Sequence, residues 1–94
     1  MFCMEQGSRP IPNRLKLHRR LRGLKQKEVS ALLELQSPWS LRQWEHGKGF
    51  PNMANLVKLS ILYRTYPNEL YPEYFTAMKR HLAARELEFF KGEC

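Results

Sequence analysis

Up to Pro72, glycine and proline cut this sequence into stretches long enough only for short helices, and no stretch alternates polar and apolar residues as a strand would. The best-punctuated stretch is SPWSLRQWEHGKGFPN, residues 37 to 52. The Ser37 hydroxyl can accept a bond from an orphan backbone amide, and Pro38 loses nothing in a first turn, where its missing N–H has no partner. Gly47 and Gly49 end the helix, Pro51 prevents its continuation, and Asn52 can cap the next one. A helix is thus predicted from Pro38 to about His46, with Leu41 and Trp44 sharing the inner face and Trp39, Arg42, Gln43 and His46 distributed over the other sides.

The neighbouring stretches read in the same way. Asn13 can cap a helix from about Arg14 to Arg22, with Leu17, Leu21 and Leu24 on one face and Gly23 as its stop. Lys25 to about Leu35 forms a second helix that turns Val29, Leu32, Leu33 and Ser30 inward. After Asn52, a fourth runs from Met53 to about Tyr63 and buries Leu56, Leu59, Ile61 or Leu62, and Tyr63. Asn68 caps a short turn through Tyr71, ended by Pro72, and a last segment, Glu73 to Lys91, places Phe75, Met78, Leu82 and Phe89 along one stripe. The fold class is all-α. Residues 1–12 are expected to be a flexible lead-in, 13–72 a compact bundle of four to five short helices, and 73–94 an amphipathic C-terminal helix and tail.

At 94 residues the chain suits one core rather than two, and 43% hydrophobic residues broken by charge fit neither a disordered chain nor a membrane span. No export signal is seen near the start, so the expected address is cytoplasmic, with no membrane partner. Cys3 and Cys94 lie at the two ends without metal-ligand spacing. His18, His46 and His81 fall in separate segments, Asp is absent, and no glycine-rich phosphate loop occurs. Neither an enzyme nor a cofactor or metal is expected.

Charge is more informative. Sixteen Lys and Arg stand against nine acids, all of them Glu, for a net +7. Residues 1–28 alone hold eight basic residues against Glu5 and Glu28, so the positive field is concentrated at one end. Such a cluster suits a polyanion, whose counterions it displaces, or an anionic membrane surface; a merely solvated helix face is the plainer alternative.

The ordered landmarks from Leu15 to Pro72 bear a resemblance. Leu15, Arg19, GLKQ at 23–26, Val29, Leu33, Leu41, Trp44, Glu45, Gly47, Pro51, Leu56, Leu59 and the closing ELYP together resemble the phage repressor and Cro-like helix-turn-helix family, the XRE family. This implies the repressor-like DNA-binding fold and a nucleoid-associated, sequence-specific transcriptional regulator that reads the major groove of double-stranded DNA with helix three. Two features depart from the pattern. Glu34 stands where the family usually has glycine, and the stretch from Gln26 to Glu45 is one residue longer than in the commonest phage repressors, with Gln36 to Pro38 absorbing the difference.

The resemblance implies base contacts by Pro38, Trp39, Arg42 and Gln43. Arg can fork onto guanine O6 and N7, and Gln can pair with adenine N6 and N7, each contributing about 1–3 kcal/mol of discrimination. An exposed charge near Glu45 and an idle amide are the plainer readings of Arg42 and Gln43, and Trp39 could equally pack on the turn. Ser37 and Ser40 suit phosphate contact, as do Lys48 beyond the helix and Lys25, Lys27, Arg14 and Arg20 at the near edge. Gln26, at the start of helix two, can bond a phosphate or act as a local cap. Glu45 would pair with Arg19 as a structural salt bridge, since a buried charge survives only if paired. By the same resemblance the chain is a homodimer on a pseudo-palindromic site, with the Phe75–Phe89 stripe as its surface unless that stripe folds onto its own core. An antitoxin-type module that binds a toxin or other protein partner and its own operator is the alternative.

Overall fold

The computed structural model describes residues 9–93. Among these the chain is all helical: α1 (Leu15–Leu21), α2 (Gln26–Leu32), α3 (Trp39–Glu45), α4 (Met53–Tyr63), α5 (Pro67–Leu70) and α6 (Pro72–Glu93). The first four end alike. Beyond each, one residue takes the left-handed conformation, and the amide after it bonds back across the last turn: Leu24 to Arg19 O, Leu35 to Ser30 O, Lys48 to Gln43 O and Thr65 to Ser60 O. This Schellman geometry satisfies the carbonyls that a helix end leaves open. Its left-handed positions are Gly23, Glu34, Gly47 and Arg64, with φ of 71°, 62°, 75° and 56°.

Helix starts use side-chain oxygen. Asn52 Oδ1 accepts from Asn55 N at 2.8 Å, and Glu28 Oε1 from Lys25 N at 2.8 Å. Asn13 Oδ1 accepts from Leu15 N at 3.1 Å at the entry to α1. Asn68 does not cap α5: Tyr66 does, with Pro67 in the first turn and the Glu69 carboxylate accepting from Tyr66 N.

Leu15, Val29, Leu33, Leu41, Leu59, Tyr63, Leu70 and Tyr71 form the buried core, with Ile11, Leu24, Leu35, Trp44, Leu56 and Leu62 packed against it. Several inward residues differ from those expected. In α1 the inner face carries Leu15 and Arg19, while Leu17 and Leu21 are 50% and 70% exposed. An arginine can occupy that position because a carboxylate meets it there, and the helix turns Leu17 and Leu21 outward as a result. Likewise Ser30 is buried beside Val29 while Leu32 is exposed, and Ile61 faces solvent with Leu62 taking the inner place. Trp44 is partly rather than fully buried.

The C-terminal stripe meets the domain only at its start, where Phe75 and Met78 line a groove with Phe50, Met53 and Leu56. Arg14 holds Glu73 at 3.2 Å, and Phe50 packs on Tyr71 and Tyr74 with ring centroids 5.1 and 4.8 Å apart. Beyond Met78, α6 projects, with Leu82 and Phe89 more than half exposed. Its 22 residues span about 33 Å, and the molecule is correspondingly long, 54 × 28 × 20 Å.

Candidate nucleic-acid interface

α3 is a short helix of seven residues, too short to be stable alone, so its position depends on what it buries. Leu41 is fully buried, Trp44 packs against the core, and the Glu45 carboxylate sits inside with only 2% of its side chain exposed. Arg19 Nε donates to Glu45 Oε2 at 2.6 Å, and Arg19 Nη2 donates to Oε1 at 3.2 Å. The third guanidinium nitrogen, Nη1, donates to Leu24 O at 3.0 Å, and Gln26 Nε2 donates to Glu45 Oε1 at 2.9 Å. One carboxylate thus joins α1, the start of α2 and the end of α3. The bond to Glu45 outweighs burial and raises the already high pKa of Arg19. Burial pushes the Tyr63 phenol well above its ordinary range, Glu45 adding to the effect, so Tyr63 packs there as a neutral group.

With Leu41, Trp44 and Glu45 turned inward, Trp39, Arg42, Gln43 and His46 fall at i, i+3, i+4 and i+7 on the outer side of α3. Trp39 is 62% exposed, Arg42 and His46 are exposed, and Gln43 is partly so. Among the described residues no hydrogen bond or ion pair engages the side chains of Arg42 or Gln43, leaving their donors open to a ligand. Ser37 Oγ accepts from Trp39 N at 3.3 Å, and Pro38 precedes the helix at its N-cap rather than entering the first turn.

Six residues, 33–38, connect α2 to α3. Glu34 holds the left-handed position despite its side chain, so the turn keeps the backbone that glycine would favour, at a cost on the order of 1 kcal/mol. Leu35 then packs on the core, and the extra length is taken up by exposed Gln36 and Ser37. The arrangement is two short helices in mutual contact, a turn closed by a Schellman motif, and a second helix with an open polar face. A family model for helix-turn-helix proteins matches residues 15–70. The chain belongs to the helix-turn-helix family, in its Cro and phage-repressor (XRE) branch. Neither the comparison with curated proteins nor that with solved structures gave a match.

In this helix-turn-helix domain the match supports a DNA-binding regulator. Lys25, Lys27 and Lys48 are exposed, Ser37 is exposed and Ser40 partly so. Gln26 is neither a free amide nor a local cap, because one of its N–H groups is committed to Glu45 and only the other remains. Arg14 does not stand with the interface: its guanidinium bonds Glu73 at the root of α6. Arg22, at the opposite end of α1, donates from Nε to Leu62 O at 3.1 Å and so ties α1 to α4.

One part of the helix-turn-helix framework escaped the sequence. Ile11 N donates to Gly47 O at 2.9 Å, Ile11 packs on the core, and Asn13 Nδ2 reaches Trp44 O at 3.2 Å. Of the expected flexible lead-in, 1–12, residues 1–8 lie outside the described residues, while the end of it is anchored against the C-terminus of α3. Gly47 permits this. A Cβ there would lie 2.4 Å from Ile11 N and 2.6 Å from Ile11 O, and φ is +75°. The only signal for it in the sequence was Gly47 itself, read as a helix stop. No helix among the described residues is long and apolar enough to cross a membrane, and no group of three His, Cys, Asp or Glu is placed to hold a metal there.

Proposed function

We propose that this chain is a sequence-specific DNA-binding transcriptional regulator that inserts α3 into the major groove. The observation that carries the reading is the outer face of α3, where Trp39, Arg42 and Gln43 project from a helix whose opposite side is fixed by Leu41 and the Arg19–Glu45–Gln26 network. Rigid support matters because base readout depends on bond geometry. Arg42 bonds guanine and Gln43 bonds adenine, Trp39 meets a thymine methyl or sugar edge, and Pro38 lies beside it at the helix start. Ser37, Ser40, Lys48, Lys25, Lys27 and the remaining N–H of Gln26 take the phosphates, which supply affinity without sequence information. The role is binding, and no residue is assigned to catalysis.

One module of this size covers a short half-site, so the functional unit is a homodimer on an inverted repeat. Selection from a random duplex library at physiological salt, run for the wild type and Gln43→Ala, tests the reading. The expected result is an enriched inverted repeat that degrades at one position per half-site in the variant. Absence of any enriched sequence would refute sequence-specific readout. The exposed apolar face of α6 also favours a second reading, an antitoxin-type module that grips a protein partner as well as its operator. A stoichiometric second chain that co-purifies from the native source and covers α6 would establish that reading instead.

A further inference from the structure

The root of α6 does not close tightly on the domain. Between it and α4 lies a groove of about 550 Å³, surrounded by Phe50 from the loop after α3, Met53 and Leu56 from α4, Asn68 from α5, and Phe75 and Met78 from α6. Folded interiors leave few voids larger than a water molecule, whereas sites for small molecules hold roughly 300–1,000 Å³. The lining also differs from the rest of the surface. In a chain with 27% charged residues and a net +7, none of the described residues around this groove carries a charge. An ion would lose its hydration there without gaining a partner, while a neutral, largely apolar molecule would shed water from both surfaces.

Two further features narrow the chemistry. Phe50 has its ring centroid 5.1 Å from that of Tyr71 and 4.8 Å from that of Tyr74, with planes tilted by 53° and 54°. Another ring can extend this tilted array, and the thioethers of Met53 and Met78 make favourable contacts with ring edges and adapt to shape. An acyl chain would gain only its buried area. Tyr71, itself a wall of the groove, is 5% exposed, and its hydroxyl finds no hydrogen-bond partner among the described residues. Burial keeps that phenol neutral, so it retains a proton to donate. We infer that this groove is a binding site for a neutral aromatic molecule that carries a hydrogen-bond acceptor, such as a carbonyl oxygen, for the Tyr71 hydroxyl. The occupant bridges α4 and α6 and meets Phe50, three residues beyond Gly47, where α3 stops. This site does not depend on the DNA reading.

Titration of the full chain with prodan, a neutral naphthyl ketone whose fluorescence moves to the blue on leaving water, tests the inference without DNA. Saturable one-to-one binding at tens of micromolar is expected, with a melting temperature that rises with prodan concentration. Met53 is 74% exposed, so Met53→Glu keeps the fold, which circular dichroism checks, and should weaken binding at least about tenfold by setting a charge in the groove. Ile61→Glu, 71% exposed on the same helix but outside the groove, should leave binding unchanged. Tyr71→Phe should weaken prodan about fivefold, while naphthalene, measured by its displacement of prodan, should bind both chains alike. No saturable binding below about 1 mM, or equal losses in Met53→Glu and Ile61→Glu, would overturn the site. Equal losses of prodan and naphthalene in Tyr71→Phe would overturn the role of the hydroxyl. A groove filled by a second copy would show as self-association in sedimentation with no prodan bound, and that result too would overturn the inference.

Discussion

Replacing Glu45 by alanine should be among the most damaging single changes available to this domain. The variant leaves the Arg19 guanidinium, with 10% of its side chain exposed, without the carboxylate that accepts two of its bonds, and it strips Gln26 Nε2 of its acceptor. Removing one partner of a buried pair costs about 3–5 kcal/mol, because the surviving charge is stranded away from water. A small domain holds roughly 0.05–0.15 kcal/mol per residue of stability, so for residues 15–70 the loss takes a large share of the whole. Urea unfolding followed by far-ultraviolet circular dichroism, at one fixed protein concentration, measures it. Thermal melting should fall by about 15 °C or more. The double variant Arg19→Met, Glu45→Met should be more stable than Glu45→Ala, since apolar groups of similar length leave no charge behind. A cost below about 1 kcal/mol for Glu45→Ala, or a double variant as unstable as the sum of its singles, would refute the reasoning and mark the pair as a solvated surface contact.

Other consequences can be checked separately. Glu34→Gly should stabilise the domain by on the order of 1 kcal/mol, read as a melting temperature several degrees higher, because it relieves a left-handed glutamate. Gly47→Ala should destabilise by more than that, since it adds both strain and a collision with Ile11. Arg42→Ala should relax specificity at one base position in anisotropy titrations over a panel of duplexes, whereas Lys48→Ala should weaken all duplexes alike and reduce the salt slope by about one. The Thr65 hydroxyl and the Tyr66 amide, bonded to the Glu69 carboxylate, hold its pKa below the ordinary 4.5. A depressed carboxylate contributes stability that is full above its unfolded value and is lost as pH falls through the folded one. Melting of the wild type should therefore drop towards that of Glu69→Gln below pH 4.5, and a constant gap between them would sink the assignment.

The helical class, the places where α1 and α3 stop, and the family were legible in the chain itself. Each depends on interactions within a few residues: Gly23 and Gly47 accept the left-handed turn, Asn52 caps its own helix, and Pro51 and Pro72 interrupt regardless of what surrounds them. The outer face of α3 was readable for the same reason, since Trp39, Arg42 and Gln43 follow from the inward turn of Leu41 and Trp44. Helix faces elsewhere were not. Periodicity marks Leu17 and Leu21 as inward, yet Arg19 takes that place because a carboxylate 26 residues away compensates its charge. The turn after α2 keeps a backbone that its own residue disfavours, because the packing of Leu33 and Leu35 on either side outweighs a local strain of about 1 kcal/mol. Only the folded chain brings Ile11 to Gly47, and only it leaves the α6 stripe uncovered: an amphipathic pattern requires that a face be buried, while the shape of the rest of the molecule decides whether its own core is there to bury it.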